Sequence, residues 1–189
     1  MRMWIRPLAR FAVICCIGPA IVSAEPDVIR ARAIVEGPTG VGGVVYFTES
    51  PLDKFGPVSE VKVLARIEGL PPGAHGFHIH ENGICEPPAF TTAGGHFDPG
   101  PFGNSTPVDA NHPYHLGDLP QIEANNAGVG HLEYTTSRFT LRQNAGNMLS
   151  IFDANGSAVI IHLNPDIGAN GVTGGSGGPR IACGVIQLE

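Results

Sequence analysis

The sequence predicts an all-β protein, and three observations lead to this class. The chain of 189 residues contains 26 glycines and 17 prolines, a content that favours turns over long helices. Amphipathic helical periodicity is weak, whereas residues 61–68 alternate apolar and polar side chains with the period of a β-strand. Further short runs of this kind recur along the chain, at a spacing typical of one closed sandwich or barrel.

The individual strands are predicted from the same alternation. In the first, Arg30 and Arg32 face outward between apolar residues, and in the third Val61 and Val63 share the inward face with Ala65 and Ile67. Turn residues separate the later strands at 125–128 and at Asn155-Gly156. The full set of predicted strands is 29–35, 43–48, 61–68, 75–80, 128–134, 158–163 and 181–188.

Two segments resist assignment as strands. Residues 86–117 are rich in proline and glycine and carry three histidines, whereas residues 168–179 hold six glycines and no charged side chain. Long loops in a compact domain are usually functional. A flexible surface linker is the alternative for the second segment.

The start of the chain has the pattern of a secretory signal peptide. Three arginines precede an apolar run over residues 11–22, and Val22-Ser-Ala24 offers small residues at a cleavage position. The run is too short for a comfortable membrane span. An uncleaved anchor or a lipidated leader is the alternative. We expect a signal peptide at 1–24, one domain at 25–189, and export to the periplasm or the extracellular space.

The net charge limits which partners the protein can bind, and the cysteine content bears on the redox state of its compartment. The expected leader holds three arginines and no acids, so its removal takes the formal net charge from −6 to −9. An acidic protein is a poor partner for nucleic acid or for an anionic membrane surface. Cys85 and Cys183 are then the remaining cysteines, and in an exported protein such a pair most simply forms one disulfide. Two free thiols or thiolate metal ligands are the alternatives.

The stretch His75-Gly-Phe-His-Ile-His80 has the pattern of a metal site. Residues two apart on a strand project to the same face, so His78 and His80 can direct both imidazoles at one ion while Ile79 points into an apolar layer. By the same parity His75 faces the other way, and we expect it to be buried and bonded to the backbone. We expect His131, in a hairpin with polar neighbours, at the surface.

Four later segments accompany this stretch in a specific order. They are Ala-Gly-Gly-His96-Phe-Asp-Pro, His115-Leu-Gly-Asp118-Leu, Val-Ile-Ile-His162 and the tail Gly-Pro-Arg180-Ile-Ala-Cys183-Gly-Val-Ile. Together the segments resemble the copper/zinc superoxide dismutase family across roughly the whole mature chain. The resemblance implies a Greek-key β-barrel or sandwich of about eight antiparallel strands, with two long functional loops.

The resemblance also implies two metal ions. Four imidazoles in a tetragonal arrangement suit copper, and the copper ligands would be His78, His80, His96 and His162. In the family the residue matching His96 is shared, deprotonated at both ring nitrogens so that it joins copper to zinc. Zinc would then take His96, His115, Asp118 and one more ligand.

The fourth zinc ligand is where this chain departs from the family. The usual further histidine stands about nine residues before the histidine of His-x-Gly-Asp, and this chain has Thr106 there. His112 is the obvious replacement, with Asn104 and Asp109 as weaker candidates. Three possibilities stay open: zinc completed by His112, zinc with three protein ligands and water, or a copper-only protein.

Two further residues match supporting positions of the family. Asp166, four residues after His162, corresponds to an acid that hydrogen-bonds a copper and a zinc histidine and fixes their tautomers. Arg180 corresponds to an arginine that attracts and orients a small anion at the open copper face. An ordinary ion pair at a strand end is the alternative for Arg180.

The activity implied by the resemblance is dismutation of superoxide to dioxygen and hydrogen peroxide by copper redox cycling, with His96 also acting as proton donor. An exported copper-binding or copper-delivery protein could use the same imidazoles without turnover, and a purely structural β-sandwich would bind no metal. Superoxide is the expected partner. Many members of the family are dimers, so the resemblance leaves a homodimer and a monomer both open. No stretch of the sequence identifies the contacting surface.

Overall fold

Nine antiparallel strands and no α-helix make up the described part of the protein, which in this computed structural model comprises residues 28–50, 60–99, 115–143, 149–166 and 177–189. The expected leader at 1–24 lies outside these residues. Within them, no helix has the length and apolar character needed to cross a membrane. The strands are β1 (Ile29–Glu36), β2 (Gly42–Glu49), β3 (Val61–Glu68), β4 (Gly73–His75), β5 (Phe77–His80), β6 (Ile122–Ala124), β7 (Gly130–Thr136), β8 (Ala158–His162) and β9 (Arg180–Leu188).

Apolar and polar residues alternate along the first strands as the sequence predicts. In β3 every second residue, from Val61 to Ile67, is buried, and the residues between them are exposed. In β1 the exposed Arg30 and Arg32 alternate with buried alanines. Burying one face of each strand removes its apolar surface from water, which is the main favourable term in forming this core. The prediction of an all-β fold is therefore confirmed.

The strands close into a nearly complete barrel. The order within the sheet is β4-β6-β7-β3-β2-β1-β9-β8-β5, so the two end strands, β4 and β5, are separated in sequence by Gly76 alone. The segment 73–80 therefore pairs with β6 through its first half and with β8 through its second half. The chain crosses from β3 to β4 and from β7 to β8 over intervening strands, which gives the Greek-key connections.

The structure refines two strand predictions. The strand predicted at 75–80 begins at Gly73 and is interrupted at Gly76, and a single glycine inside a strand pattern is a known sign of such an irregularity. Strand β6 was not predicted, because three residues are too few to show a period of two. It pairs with β4 and β7 and completes the sheet on that side.

The barrel wall at β5 and β8 is buried on both faces. Phe77, Ile79 and Ile161 pack into the barrel core. On the outer face, Ile160 joins a second apolar cluster with Phe90 of the loop that follows β5. That loop, which includes one 3-10 turn at Thr91–Ala93, therefore covers the outside of the barrel wall where His78 and His80 lie.

The covering loop is fastened by the disulfide that the sequence predicts. Cys85 and Cys183 are bonded, with a sequence separation of 98 residues. The bond joins the loop after β5 to β9. Cys183 belongs to the outer apolar cluster, and Cys85 packs against it. The prediction of one disulfide is confirmed, and the alternatives of free thiols and thiolate ligands are excluded for this structure.

We expect this bond to contribute substantially to stability. Closing a loop of about 100 residues lowers the entropy of the unfolded chain, which stabilises the folded state by about 5 kcal/mol. The Cys85→Ser/Cys183→Ser variant should therefore lose free energy of unfolding of that order. Urea unfolding of metal-free protein measures the loss. Reductant should reproduce the loss in the wild type and have no effect on the double variant. A loss below about 1 kcal/mol would contradict the expectation.

Candidate metal centre

Two paired strands supply three of the histidines. His78 and His80 are two residues apart on β5, and β8 pairs with β5 so that Ile160 lies opposite His78. His162 ends β8 on the same face as Ile160, next to an irregularity in register between Ile161 and His162. Such bulges re-aim side chains beside functional sites. All three histidines are almost completely buried.

The free edge of β5 positions two loop residues of the site. The backbone N–H of Phe97 donates to the Ile79 carbonyl at 2.8 Å, and the Ile79 N–H donates to the Gly117 carbonyl at 2.8 Å. These bonds hold His96 beside His80 and Asp118 beside His78. Gly117 is required at this close approach, because a Cβ there would lie 2.3 Å from the Ile79 oxygen.

One nitrogen of each strand histidine donates a hydrogen bond to a fixed acceptor. His78 Nε2 lies 2.6 Å from Asp166 Oδ2, His80 Nδ1 lies 3.0 Å from the Gly94 carbonyl oxygen, and His162 Nδ1 lies 2.8 Å from the Gly178 carbonyl oxygen. Since carbonyl and carboxylate oxygens accept hydrogen bonds, each ring carries its proton on the bonded nitrogen. The tautomers of the three rings are thereby set.

The other nitrogen of each ring is buried without a hydrogen bond. These atoms are His78 Nδ1, His80 Nε2 and His162 Nε2. Buried polar atoms nearly always have a hydrogen-bond partner. Three neighbouring ring nitrogens without one therefore indicate that their lone pairs bind another group. Together with His96, the histidines place one ligand atom each within 4.8 Å of one another. The donor set therefore fits a metal ion bound by four nitrogens.

A second group of possible ligands shares His96 with the first. His96, His115 and Asp118 also bring one ligand atom each within 4.8 Å of one another. His96 Nδ1 lies 2.6 Å from Asp118 Oδ1, and His115 Nδ1 lies 3.7 Å from Asp118 Oδ2. Within the described residues this group has three members. Two imidazoles and a carboxylate suit zinc, which usually takes four ligands.

The environment keeps the ligand atoms in the forms that bind metal. Burial lowers the pKa of His80 well below its ordinary value, and repulsion from His96 adds to the effect. Burial and the neighbouring His78 lower the pKa of His162 to about 4, and burial also lowers the pKa of His96. Burial alone would raise the pKa of Asp118, but hydrogen bonds from His115 and His96 outweigh it and hold that pKa far below its usual range. His80, His96 and His162 are therefore neutral at pH 7 and the Asp118 carboxyl group is ionised.

Asp166 orients His78 from a space that a glycine keeps open. A Cβ at Gly76 would lie 2.4 Å from Asp166 Oδ1, so the break between β4 and β5 coincides with the room that the carboxylate needs. Asp166 Oδ2 bonds His78, whereas Oδ1 is buried and has no hydrogen bond. In the family that the sequence resembles, the matching acid also bonds a zinc histidine, and the described residues contain no such bond.

Arg180 lies beside the four-histidine group, at the start of β9. Its Nη1 donates to the Phe90 carbonyl and its Nη2 to the Gly94 carbonyl, each at 2.6 Å. The Gly94 oxygen thus accepts from both Arg180 and His80. Burial lowers the pKa of Arg180, but a guanidinium stays charged at neutral pH. The loop therefore holds a positive charge next to a neutral imidazole of the site.

Of the other residues that the sequence analysis singled out, two lie where they were predicted and the rest lie outside the described residues. His75 is buried, with its ring nitrogens 2.9 Å from the His162 carbonyl and 2.7 Å from the Pro71 carbonyl, so its expected structural role is confirmed. His131 is exposed on β7, as expected. His112 lies outside the described residues, as do Thr106, Asn104 and Asp109. Sequence reasoning did not single out Arg138, which the structure places against Asp118.

Comparison with known proteins identifies the class to which this fold and site belong. The family model for copper/zinc superoxide dismutase matches residues 41–186. The chain belongs to the copper/zinc superoxide dismutase family.

Individual relatives agree with this assignment. The chain is 38% identical over 130 residues to "Superoxide dismutase [Cu-Zn] 2" of Aquifex aeolicus, covering 68% of this chain and 73% of that protein. It is 33% identical over 191 residues to "Superoxide dismutase [Cu-Zn] 2" of Salmonella typhimurium, covering 95% and 97%. A crystal structure of a double mutant of a superoxide dismutase-like protein from Bacillus subtilis superposes with a TM-score of 0.59 at 31% identity, covering 81% of this chain and 94% of that one.

The lowered histidine pKa values predict that acid destabilises the metal-free protein. The unfolded chain takes up protons near the ordinary histidine pKa of about 6.5, whereas folded His162 does so only near 4. The free energy of unfolding should therefore fall as the pH drops through this interval, by on the order of 3 kcal/mol for His162 alone.

Urea unfolding of metal-free protein at several pH values between 7 and 4 tests this dependence. The His162→Gln variant should show a shallower decline, and the variant His131→Gln, which alters an exposed histidine, should match the wild type. Equal slopes for the wild type and His162→Gln would show that burial of this imidazole does not oppose its protonation.

Proposed function

We propose that this protein is a superoxide dismutase that holds copper through His78, His80, His96 and His162. The observation that carries the proposal is the set of bare, buried ring nitrogens whose partner nitrogens are fixed by Asp166 and two carbonyl groups. Four imidazole nitrogens favour copper over a hard cation such as magnesium or calcium. Family membership supports the same choice.

The reaction needs a one-electron carrier, which bound copper supplies by accepting an electron from one superoxide and returning it to a second. The residues of the chain would bind the metal, orient its ligands and supply a proton to the product. Asp166 and the carbonyls of Gly94 and Gly178 keep three rings in one tautomer. His96 lies between the two ligand groups, so its ring is placed to hold a proton and give it to the departing peroxide.

Arg180 has the position required to attract the substrate. Its guanidinium and the His80 ring both donate to the Gly94 carbonyl, so its positive charge lies beside one of the proposed copper ligands. The mature chain has a formal charge near −9 after removal of the expected leader, which repels an anion overall. Local attraction at Arg180 must therefore offset the general field.

We also propose that zinc binds to His96, His115 and Asp118. The ionised carboxylate and the two imidazoles match the ligands that zinc uses in structural sites. His112 is the proposed fourth ligand, in place of the histidine that the family usually has at the position of Thr106. We further propose that the protein works after export, because the Cys85–Cys183 disulfide is of a kind that persists in oxidising compartments.

An Arg180→Ala substitution separates a dismutase from a copper-delivery protein. Loss of the anion-attracting charge should slow dismutation roughly tenfold while the molar copper content stays unchanged. The control is Arg66→Ala, which removes a positive charge from the exposed pair with Glu68 on β3 and should leave the rate unchanged.

The measurement is the decay of superoxide after a pulse that generates it, together with analysis of the copper content. A copper-loaded wild type without activity would favour delivery, and equal rates for Arg180→Ala and wild type would contradict the role of Arg180.

Elemental analysis of the wild type and of His112→Ala tests the zinc proposal. We expect one copper and one zinc per chain in the wild type, and selective loss of zinc in the variant because one of four ligands is removed. Full zinc retention in His112→Ala would assign the fourth position to another group. Copper without zinc in both proteins would make this a copper-only enzyme.

A further inference from the structure

Arg138 connects the end of strand β7 to a residue of the proposed zinc site. It lies two residues beyond the last residue of β7, and its side chain is half-buried. Its Nη2 donates to the backbone carbonyl of Asp118 at 2.5 Å. Arg138 and Asp118 are 20 positions apart in sequence, so the fold, not local chain geometry, brings them together.

Strand β7 sets the direction of the guanidinium. Nη2 also donates to the Tyr134 hydroxyl at 3.1 Å, and Nε donates to Thr136 Oγ1 at 3.3 Å. The guanidinium carbon lies 5.8 Å from the centre of the Tyr134 ring, within the range of a cation–π contact. Because Tyr134 and Thr136 belong to the barrel, the donor that reaches Asp118 is held by rigid structure.

Asp118 contacts both of the other members of the proposed zinc group. Its Oδ1 lies 2.6 Å from His96 Nδ1, and its Oδ2 accepts from the backbone N–H of His115 at 2.8 Å. The next residue, Leu119, is bonded through its N–H to the Phe77 carbonyl of β5 at 3.2 Å. The segment that carries Asp118 is thus held by β5 on one side and by Arg138 on the other.

We propose that Arg138 is a positioning residue of the zinc site, which fixes the backbone at Asp118 so that its carboxylate meets His96 and His115 in one geometry. Groups that orient metal ligands commonly account for 10-fold to 100-fold in metal affinity. Arginine suits this role because its planar group donates in several fixed directions at once, here to Asp118, Tyr134 and Thr136. The inference rests on the proposed zinc site and concerns zinc, not copper.

The effect should be selective between the two metals. Arg138 has a hydrogen bond to the Asp118 backbone, whereas the three strand histidines of the copper group are oriented by Asp166, Gly94 and Gly178. Loss of the guanidinium should therefore lower zinc affinity about 10-fold to 100-fold and leave copper affinity within about threefold. Arg138→Lys, which retains a charge and a donor, should restore part of the affinity.

The experiment measures zinc and copper affinities of the full oxidised chain by competition with chelators of known affinity. The variants are Arg138→Ala, Arg138→Lys and Tyr134→Phe, the last of which removes only the hydroxyl that supports the guanidinium and should weaken zinc binding severalfold. Cobalt(II) absorption provides a spectroscopic readout of the zinc position. We expect the cobalt spectrum to change in Arg138→Ala while the copper spectrum does not.

Arg142→Ala is the matched control. Arg142 lies in the same connection and pairs with the buried Glu49 at 3.3 Å, so its loss should destabilise the fold without touching Asp118. Lower stability with unchanged zinc affinity in this control would support the inference. Equal zinc affinities for wild type and Arg138→Ala, or parallel loss of both metals in Arg138→Ala and Arg142→Ala, would overturn it.

If Arg138→Ala does not fold, Tyr134→Phe decides the question, since unchanged zinc affinity and an unchanged cobalt spectrum in that variant would overturn the role of the guanidinium. A wild type that binds copper but no zinc would overturn this inference while leaving the proposed copper enzyme intact. A wild type that binds zinc at this group without copper would instead contradict the proposed dismutase.

Discussion

The structure depends on keeping neutral imidazoles close together in a buried space. In three of the histidines one ring nitrogen donates a hydrogen bond to a fixed acceptor, and the other ring nitrogen has no hydrogen bond. These are His78, His80 and His162. Burial without a partner costs free energy at each of these atoms, and the residues that the structure describes offer them no hydrogen-bond donor. A cation bound by the lone pairs would offset the cost. We therefore expect the bound ion to stabilise the folded protein.

The barrel supplies this arrangement through one interrupted strand. Gly76 divides the segment 73–80, so its first half closes the sheet against β6 and its second half carries two histidines alongside β8. The edge of β5 then binds the backbone around Phe97 and Gly117, which brings the loop ligands to the strand ligands. The disulfide and Arg180 fix the covering loop on the outside of the same wall. Closure of the fold and assembly of the site thus use the same residues.

Much of this arrangement can be predicted from sequence patterns that involve only neighbouring residues along a strand. Alternation places His78 and His80 on one face and His75 on the other, and it defines β1 and β3 almost to the residue. The resemblance to a family joins the distant segments into one ligand set, which the structure brings together. By contrast, β6 is too short to show a period, and the contact of Arg138 with Asp118 depends on where β7 ends relative to the loop edge. Such contacts between distant segments depend on the topology of the fold, so no local sequence pattern predicts them.

The most direct test of this arrangement is a copper titration of the metal-free protein followed by electron paramagnetic resonance. Convergence of the four imidazoles predicts one tight equivalent with a tetragonal signal split by nitrogen nuclei. His78→Gln and His162→Gln should each alter that signal, and the exposed His131→Gln should not. Weak uptake of several equivalents, or one signal shared by the wild type and both buried-site variants, would show that these rings do not bind a common ion.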